Sequence, residues 1–165
     1  TVPVYLQILQ SLAGLLDKAE GHCRARGLPD IDLSDARLTA DMWPFSKQIR
    51  ACWQHSVDAI EGVMSGEYRH DAAEPPQDFS ALRARVEGAI EQLRTVRPEA
   101  VDALVGRDVR YLSSTHQLHF VAEDFLTSFA LPNFFFHASM AYAILRVQDL
   151  PLAKIDYLGA IRMKG

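Results

Sequence analysis

Apolar residues recur at three- and four-residue steps along most of this chain. Tyr5, Ile8, Leu9, Leu12, Leu15, Leu16, Ala19 and Cys23 make one stripe, which predicts an amphipathic first helix. Gly27 and Pro29 should close it, because glycine suits the residue after a helix and proline cannot extend the ladder. Residues 30–39 read as a polar connection. A second helix should begin near Met42 to Pro44, with Asp41 as N-cap and Pro44 in the first turn. Its inward stripe is Phe45, Ile49, Cys52, Trp53, Ser56, Ile60 and Val63, ending at Ser65 and Gly66. Residues 67–77, with Pro75 and Pro76, read as an exposed loop. A third helix is expected from Phe79 to Thr95, capped by Asp78 or Ser80, with Leu82, Val86, Ala89, Ile90 and Leu93 facing inward.

The period then changes. Residues 98–106 read as a turn region with room for one short helical turn. In "RDVRYLSSTHQLHF", Val109, Tyr111, Leu118 and Phe120 favour short extended segments and a small hairpin. Helical spacing returns over residues 121–147, where Pro132 should kink or restart the helix. Beyond Pro132 the helix is apolar almost all round, so it should be buried among the others. Residues 149–165 form a tail that can pack over the bundle. No repeat or linker interrupts the pattern. The expectation is one domain over residues 1–165: an all-α four-helix bundle with a small irregular or hairpin insertion before the last long helix.

Composition narrows the function. The chain has 165 residues, 48% hydrophobic and 23% charged, with net charge −4. That suits a single soluble core and argues against nucleic acid, whose binders carry a basic face. Apolar runs such as residues 131–136 are too short to span a bilayer. The first ten residues show no charged-then-apolar leader, so a cytoplasmic protein is expected, with Thr1 lacking only an initiator methionine. Cys23 and Cys52 have no CxxC spacing and fall on apolar faces, which suggests reduced core thiols rather than a disulfide.

Candidate chemistry rests on polar residues in apolar settings. There is no nucleophile elbow, no phosphate-cradling glycine loop and no His-Glu-x-x-His. His137 sits inside "LPNFFFHASMAYAILR", on the same helical face as Asn133 four residues earlier. A buried imidazole and amide must find partners on each other, another helix, water or a ligand, because an unpaired buried polar group costs on the order of a few kcal/mol. His55 lies at the border of the second helix's stripe, on the flank that carries Gln48. Each histidine can equally be a satisfied core residue. His22, His70, His116 and His119 occupy helix-end, loop or strand-like positions and are weaker candidates. Trp53, Phe134 and Phe136 could line a cavity beside the polar pair or simply fill the core.

Three fragments, "RLTADMWPFSKQI", "FALPNFFFHASMAYAILR" and "PLAKIDYLG", resemble an uncharacterised domain-of-unknown-function branch of the DinB-like superfamily of metal-dependent four-helix bundles. In that superfamily the last helix carries His-x-x-x-His followed by an apolar run and a Leu-Arg pair, and a third histidine stands on the second helix. His137 resembles the second histidine of the motif, Leu145 and Arg146 match the pair, and His55 resembles the second-helix ligand. The resemblance implies a divalent ion, zinc or nickel, held by His55, His137 and the residue at position 133. That residue is Asn133, where the motif has histidine. An amide oxygen is a poorer donor than imidazole to zinc or nickel. Asp41 or Glu123 could supply a further carboxylate.

Three functions stay open at this level. One is a metal-dependent enzyme that uses His55, His137 and Asn133. The second is a metal-free protein that binds a small molecule through Gln48, Trp53, Asn133, Phe134, Phe136 and His137. The third is an interaction module forming a homodimer through a bundle face.

Overall fold

The structure, a computed structural model, describes residues 1–164. Helix α1 runs Val2–Arg26 and ends at Gly27, whose φ of 65° is the left-handed cap that glycine adopts without strain. A short helix, α2 (Ile31–Ser34), interrupts the expected polar connection. Helix α3 covers residues 45–65. It is α-helical over Phe45–Trp53, widens to a π-helix over Gln54–Asp58, and returns to α-helix over Ala59–Ser65. Helix α4 is Phe79–Thr95, with Asp78 accepting the Ala81 N–H at 2.7 Å as its N-cap. One further helical turn, α5, is Pro98–Asp102.

The last long helix, α6, covers residues 122–147, with a π-helical stretch at Phe125–Ala130 before the regular turns of Leu131–Val147. Pro132 has no N–H to continue an i→i−4 ladder, and the wider turn beside it absorbs that mismatch. The expected kink is therefore a π-bulge within a continuous helix. A small helix, α7 (Lys154–Leu158), lies on α1. There Gln7 donates to the Leu158 carbonyl at 2.8 Å and Lys18 pairs with Asp156 at 2.6 Å.

Helix α1 packs on α4, and α3 packs on α6. The fully buried Tyr5, Leu9, Leu12, Leu16, Phe45, Ile49, Ile60, Phe79, Leu82, Val86, Phe134 and Leu145 fill the space between them. Cys23 and Cys52 are both buried and unpaired. No helix among the described residues is long and apolar enough to cross a membrane.

The bundle is not purely helical. The strands β1 (Glu67–Arg69), β2 (Asp108–Leu112) and β3 (Gln117–Val121) form a small sheet in that order. The expected hairpin is β2–β3, antiparallel, with Val109 opposite Phe120. The third strand corrects the reading of residues 67–77 as an exposed loop. β1 pairs parallel to β2 with Tyr68 opposite Tyr111, and Tyr68 is buried. A three-residue strand has too few positions to show alternation, so only the partner strand reveals it. Asp41 is a second correction. It accepts from the Thr39 hydroxyl at 2.6 Å, and Pro44 occupies the N-cap position of α3 in its place.

Tyr68 reaches its place because Gly62 lets the strand close on α3. A Cβ at Gly62 would stand 2.8 Å from the Tyr68 Cβ and 3.1 Å from its Cα, so backbone would have to move. Gly62→Ala should therefore cost about 1–3 kcal/mol of stability through overpacking. Gly88→Ala, with nothing within 4 Å of the added methyl in the interior of α4, should gain about 0.5–1 kcal/mol. Urea unfolding of the two variants beside the parent checks both signs.

Candidate functional site

The π-helical stretch of α3 carries His55, and the regular part of α6 carries His137. Packing of α3 on α6 brings the two rings to 5.7 Å between centroids, with planes 7° apart. Both residues are buried, at 7% and 8% exposure. They belong to a row of near-parallel rings that crosses the bundle. Trp43 lies 5.4 Å from His137, Tyr68 lies 6.3 Å from His55, and Tyr111 lies 5.6 Å from Tyr68, none tilted by more than 16°. Phe129 meets both His55 and Tyr111 edge-on, at 5.6 and 5.1 Å.

Gln48, one turn into α3, sets the protonation of His137. Its Nε2 donates to the Trp43 carbonyl at 3.1 Å, and its Oε1 stands 2.7 Å from His137 Nδ1. A backbone carbonyl can only accept, so the amide is oriented with its oxygen toward the imidazole. The amide oxygen can also only accept, so His137 Nδ1 carries the proton. Nε2 is left as a bare lone pair with no hydrogen bond among the described residues. Burial first, then the positive charge of Arg50, pushes the His137 pKa down to about 4. Burial, then His137 and His70, pushes His55 down to about 3. Both rings are therefore neutral at physiological pH. His55 Nδ1 is buried and has no partner, an arrangement that leaves an acceptor or donor unused.

The remaining predicted residues divide. Asn133 is half-buried on α6 and donates from Nδ2 to the Phe129 carbonyl at 2.8 Å, which turns its amide nitrogen back onto its own helix. Its Oδ1 makes no hydrogen bond among the described residues. Trp53, Phe134 and Phe136 do not gather in one hollow. Trp53 lies under the Arg85 guanidinium at 5.2 Å and borders a cavity of about 250 Å³ with Asp58, Glu61 and Gly88. Phe134 is a core residue edge-on to Tyr5 at 4.9 Å. Phe136 is 51% exposed and touches the site only as the ring next to His137, at 5.2 Å. A helix turns by about 100° per residue, so Phe134 and Phe136, two residues apart, point to nearly opposite sides of α6. Neither carboxylate candidate joins the histidines: Asp41 is exposed and bound to Thr39, and Glu123 accepts the Gly106 N–H at 2.7 Å.

Sequence reasoning missed Trp43, Arg50 and Tyr68. Trp43 precedes the helix and Tyr68 follows it, so no helical stripe marks them. Arg50 is a cation at a position that helical periodicity alone does not distinguish from solvent-facing ones, yet it is 5% exposed.

Residues 1–158 match the family described as "Domain of unknown function (DUF1993)". The chain belongs to this DUF1993 family. No curated protein matches it. Among solved structures it is similar to the crystal structure of a DinB family member protein from Shewanella denitrificans, at 24% identity and a TM-score of 0.80, over 100% of this chain and 93% of that one. The DUF1993 chain thus has a DinB-like fold, and this chain carries a small three-stranded sheet beside its helices.

Asp58, at the end of the π-helical stretch, gives helix α3 a pH signature. Burial first, then Glu61, raises its carboxyl to about 6; Arg85 opposes the shift and Asp71 adds to it. A folded-state pKa above the unfolded one means that ionisation costs stability. That cost is absent below about pH 4 and fully present above about pH 6. Asp58→Asn should raise the melting temperature at pH 7.5, with the gain shrinking toward zero at pH 4, as followed by thermal unfolding at both values.

Proposed function

We propose that this DUF1993 protein is a divalent-metal-binding bundle with a reduced donor set, in which His55 and His137 would hold zinc or nickel and Asn133 Oδ1 would stand as a weak third donor. The observation that carries the reading is the Gln48 clamp. Metal-binding imidazoles characteristically give their second nitrogen to an oxygen that fixes tautomer and ring orientation, and His137 does so while its Nε2 lone pair stays free. The two ring centroids stand 5.7 Å apart with planes 7° apart, so a shared ion with metal–nitrogen bonds of about 2.0–2.1 Å would require one ring to turn until both lone pairs aim at one point. The orphaned nitrogen of His55 is a further unused donor.

The donor set also sets the strength. Among the described residues no group of three or more His, Cys, Asp or Glu could hold an ion. Catalytic zinc sites normally have three protein ligands. Such an ion would supply Lewis acidity to a bound water or substrate. The chain's own contribution is to keep both imidazoles neutral, orient His137 through Gln48, and flank the pair with the Trp43 and Phe129 rings. The back-bonded amide of Asn133 favours one second reading: a metal-free site in which His137 Nε2 accepts a hydrogen bond from the polar end of a small molecule.

Calorimetric titration of zinc and nickel into untagged, chelator-treated protein distinguishes the two. Weak one-to-one binding is expected, lost in His137→Ala and His55→Ala, weakened about 10–100-fold in Gln48→Leu, and tightened in Asn133→His. No binding of either ion by Asn133→His would overturn the metal reading and leave the small-molecule one.

A further inference from the structure

We propose that Arg50, with Trp43, Phe136 and His137, forms a receptor for a small carboxylate that bears an apolar tail. The starting point is a charge without a counter-ion. Arg50 is 5% exposed, and among the described residues no carboxylate lies within ion-pair distance of it. The acidic groups on the neighbouring strap, residues 70–77 after β1, are already engaged: Glu74 pairs with Lys47 at 2.8 Å, and Asp71 accepts the Ala73 N–H at 2.8 Å. One guanidinium N–H goes to the Ala73 carbonyl. The Nε–H is buried and has no acceptor. A guanidinium presents five donors in a planar fork that matches a carboxylate, so this one is far from satisfied. Burying such a group is unfavourable unless a charge completes it.

The surroundings select the rest of the ligand. The Arg50 guanidinium sits 5.7 Å over the Trp43 ring, and the other neighbour of that ring is His137 at 5.4 Å. Its charge also reaches His137, whose protonation it disfavours. Trp43, 40% exposed, and Phe136, 51% exposed, both touch the His137 ring and remain open to solvent. An anionic head would thus be drawn to the buried cation, while an alkyl or aryl tail would cover the solvent-exposed parts of the Trp43 and Phe136 rings. The inference uses the site of the metal reading for its location and names the class of molecule admitted there, but it needs no ion.

The test is calorimetric titration of acetate, benzoate and octanoate into chelator-treated full chain, with benzyl alcohol as the uncharged comparison for benzoate. Saturable one-to-one binding is expected for benzoate or octanoate, at least about tenfold tighter than for benzyl alcohol and for acetate. Arg50→Gln should weaken it at least about tenfold, Arg50→Lys less, and Trp43→Ala should remove the advantage of the aromatic acid over acetate. Arg50 also ties down the strap, so a variant that fails to fold is replaced by a reading on the parent protein: the Arg50 Nε–H nuclear magnetic resonance signal should shift saturably with benzoate. Equal affinity for benzoate and benzyl alcohol, no binding of any of the three acids, or an unmoved Arg50 signal overturns the proposal. A parallel zinc titration keeps the two readings apart. Zinc binding without carboxylate binding sinks only this proposal, and carboxylate binding without zinc binding sinks only the metal one.

Discussion

The carboxamide of Gln48 can face only one way, and the chemistry of the site follows from that. Its donor is claimed by the Trp43 carbonyl and its acceptor by His137 Nδ1. Two ordinary hydrogen bonds, each worth about 1 kcal/mol net, thereby decide which imidazole nitrogen is protonated. Burial then keeps the ring neutral. The result is a lone pair presented without a competing proton, at a position where a histidine inside an apolar helix would otherwise be a plain core residue.

Both histidine-bearing helices depart from regular geometry close to the site. Helix α3 is π-helical where it carries His55, and α6 is π-helical in the turn that precedes Asn133. A π turn inserts an extra residue and rotates the following side chains, which re-aims a helix face without breaking the helix. Around α3 the polar groups left without partners cluster: Arg50 Nε, Gln54 Oε1, His55 Nδ1 and the Tyr68 hydroxyl. Each such atom costs about 1–3 kcal/mol. Close packing of the surrounding apolar core offsets that cost.

Much of the fold is legible in the sequence because helical burial has a strong period. The stripes of α1, α3 and α4, the Gly27 cap, the Asp78 cap and the β2–β3 hairpin all follow from residue spacing. What is not legible depends on contacts between distant segments. β1 is too short to show a pattern and exists because Gly62 admits Tyr68. The continuity of α6 through Pro132 depends on a π-bulge that spacing does not encode. At the site, helix faces place His55 on the flank that carries Gln48 and His137 on the face of Asn133, while the convergence of the two histidines is implied by the family resemblance. Trp43 and Arg50 do not follow from helix faces, since one lies outside a helix and the other is a cation that periodicity would leave to solvent. Trp53, Phe134 and Phe136 do not share one hollow for a simple reason: apolar character does not say which neighbour a ring meets, and here two are buried against different neighbours while Phe136 is half open to solvent.

The tautomer of His137 is the most direct quantity to measure. Long-range proton–nitrogen correlation spectra of the metal-free protein, assigned through His137→Gln, report which ring nitrogen carries hydrogen and whether the ring is charged. The expected result is a neutral ring at pH 6, protonated at Nδ1 and bare at Nε2. A ring protonated at Nε2, or an imidazolium at that pH, would contradict the Gln48 clamp and the site built on it.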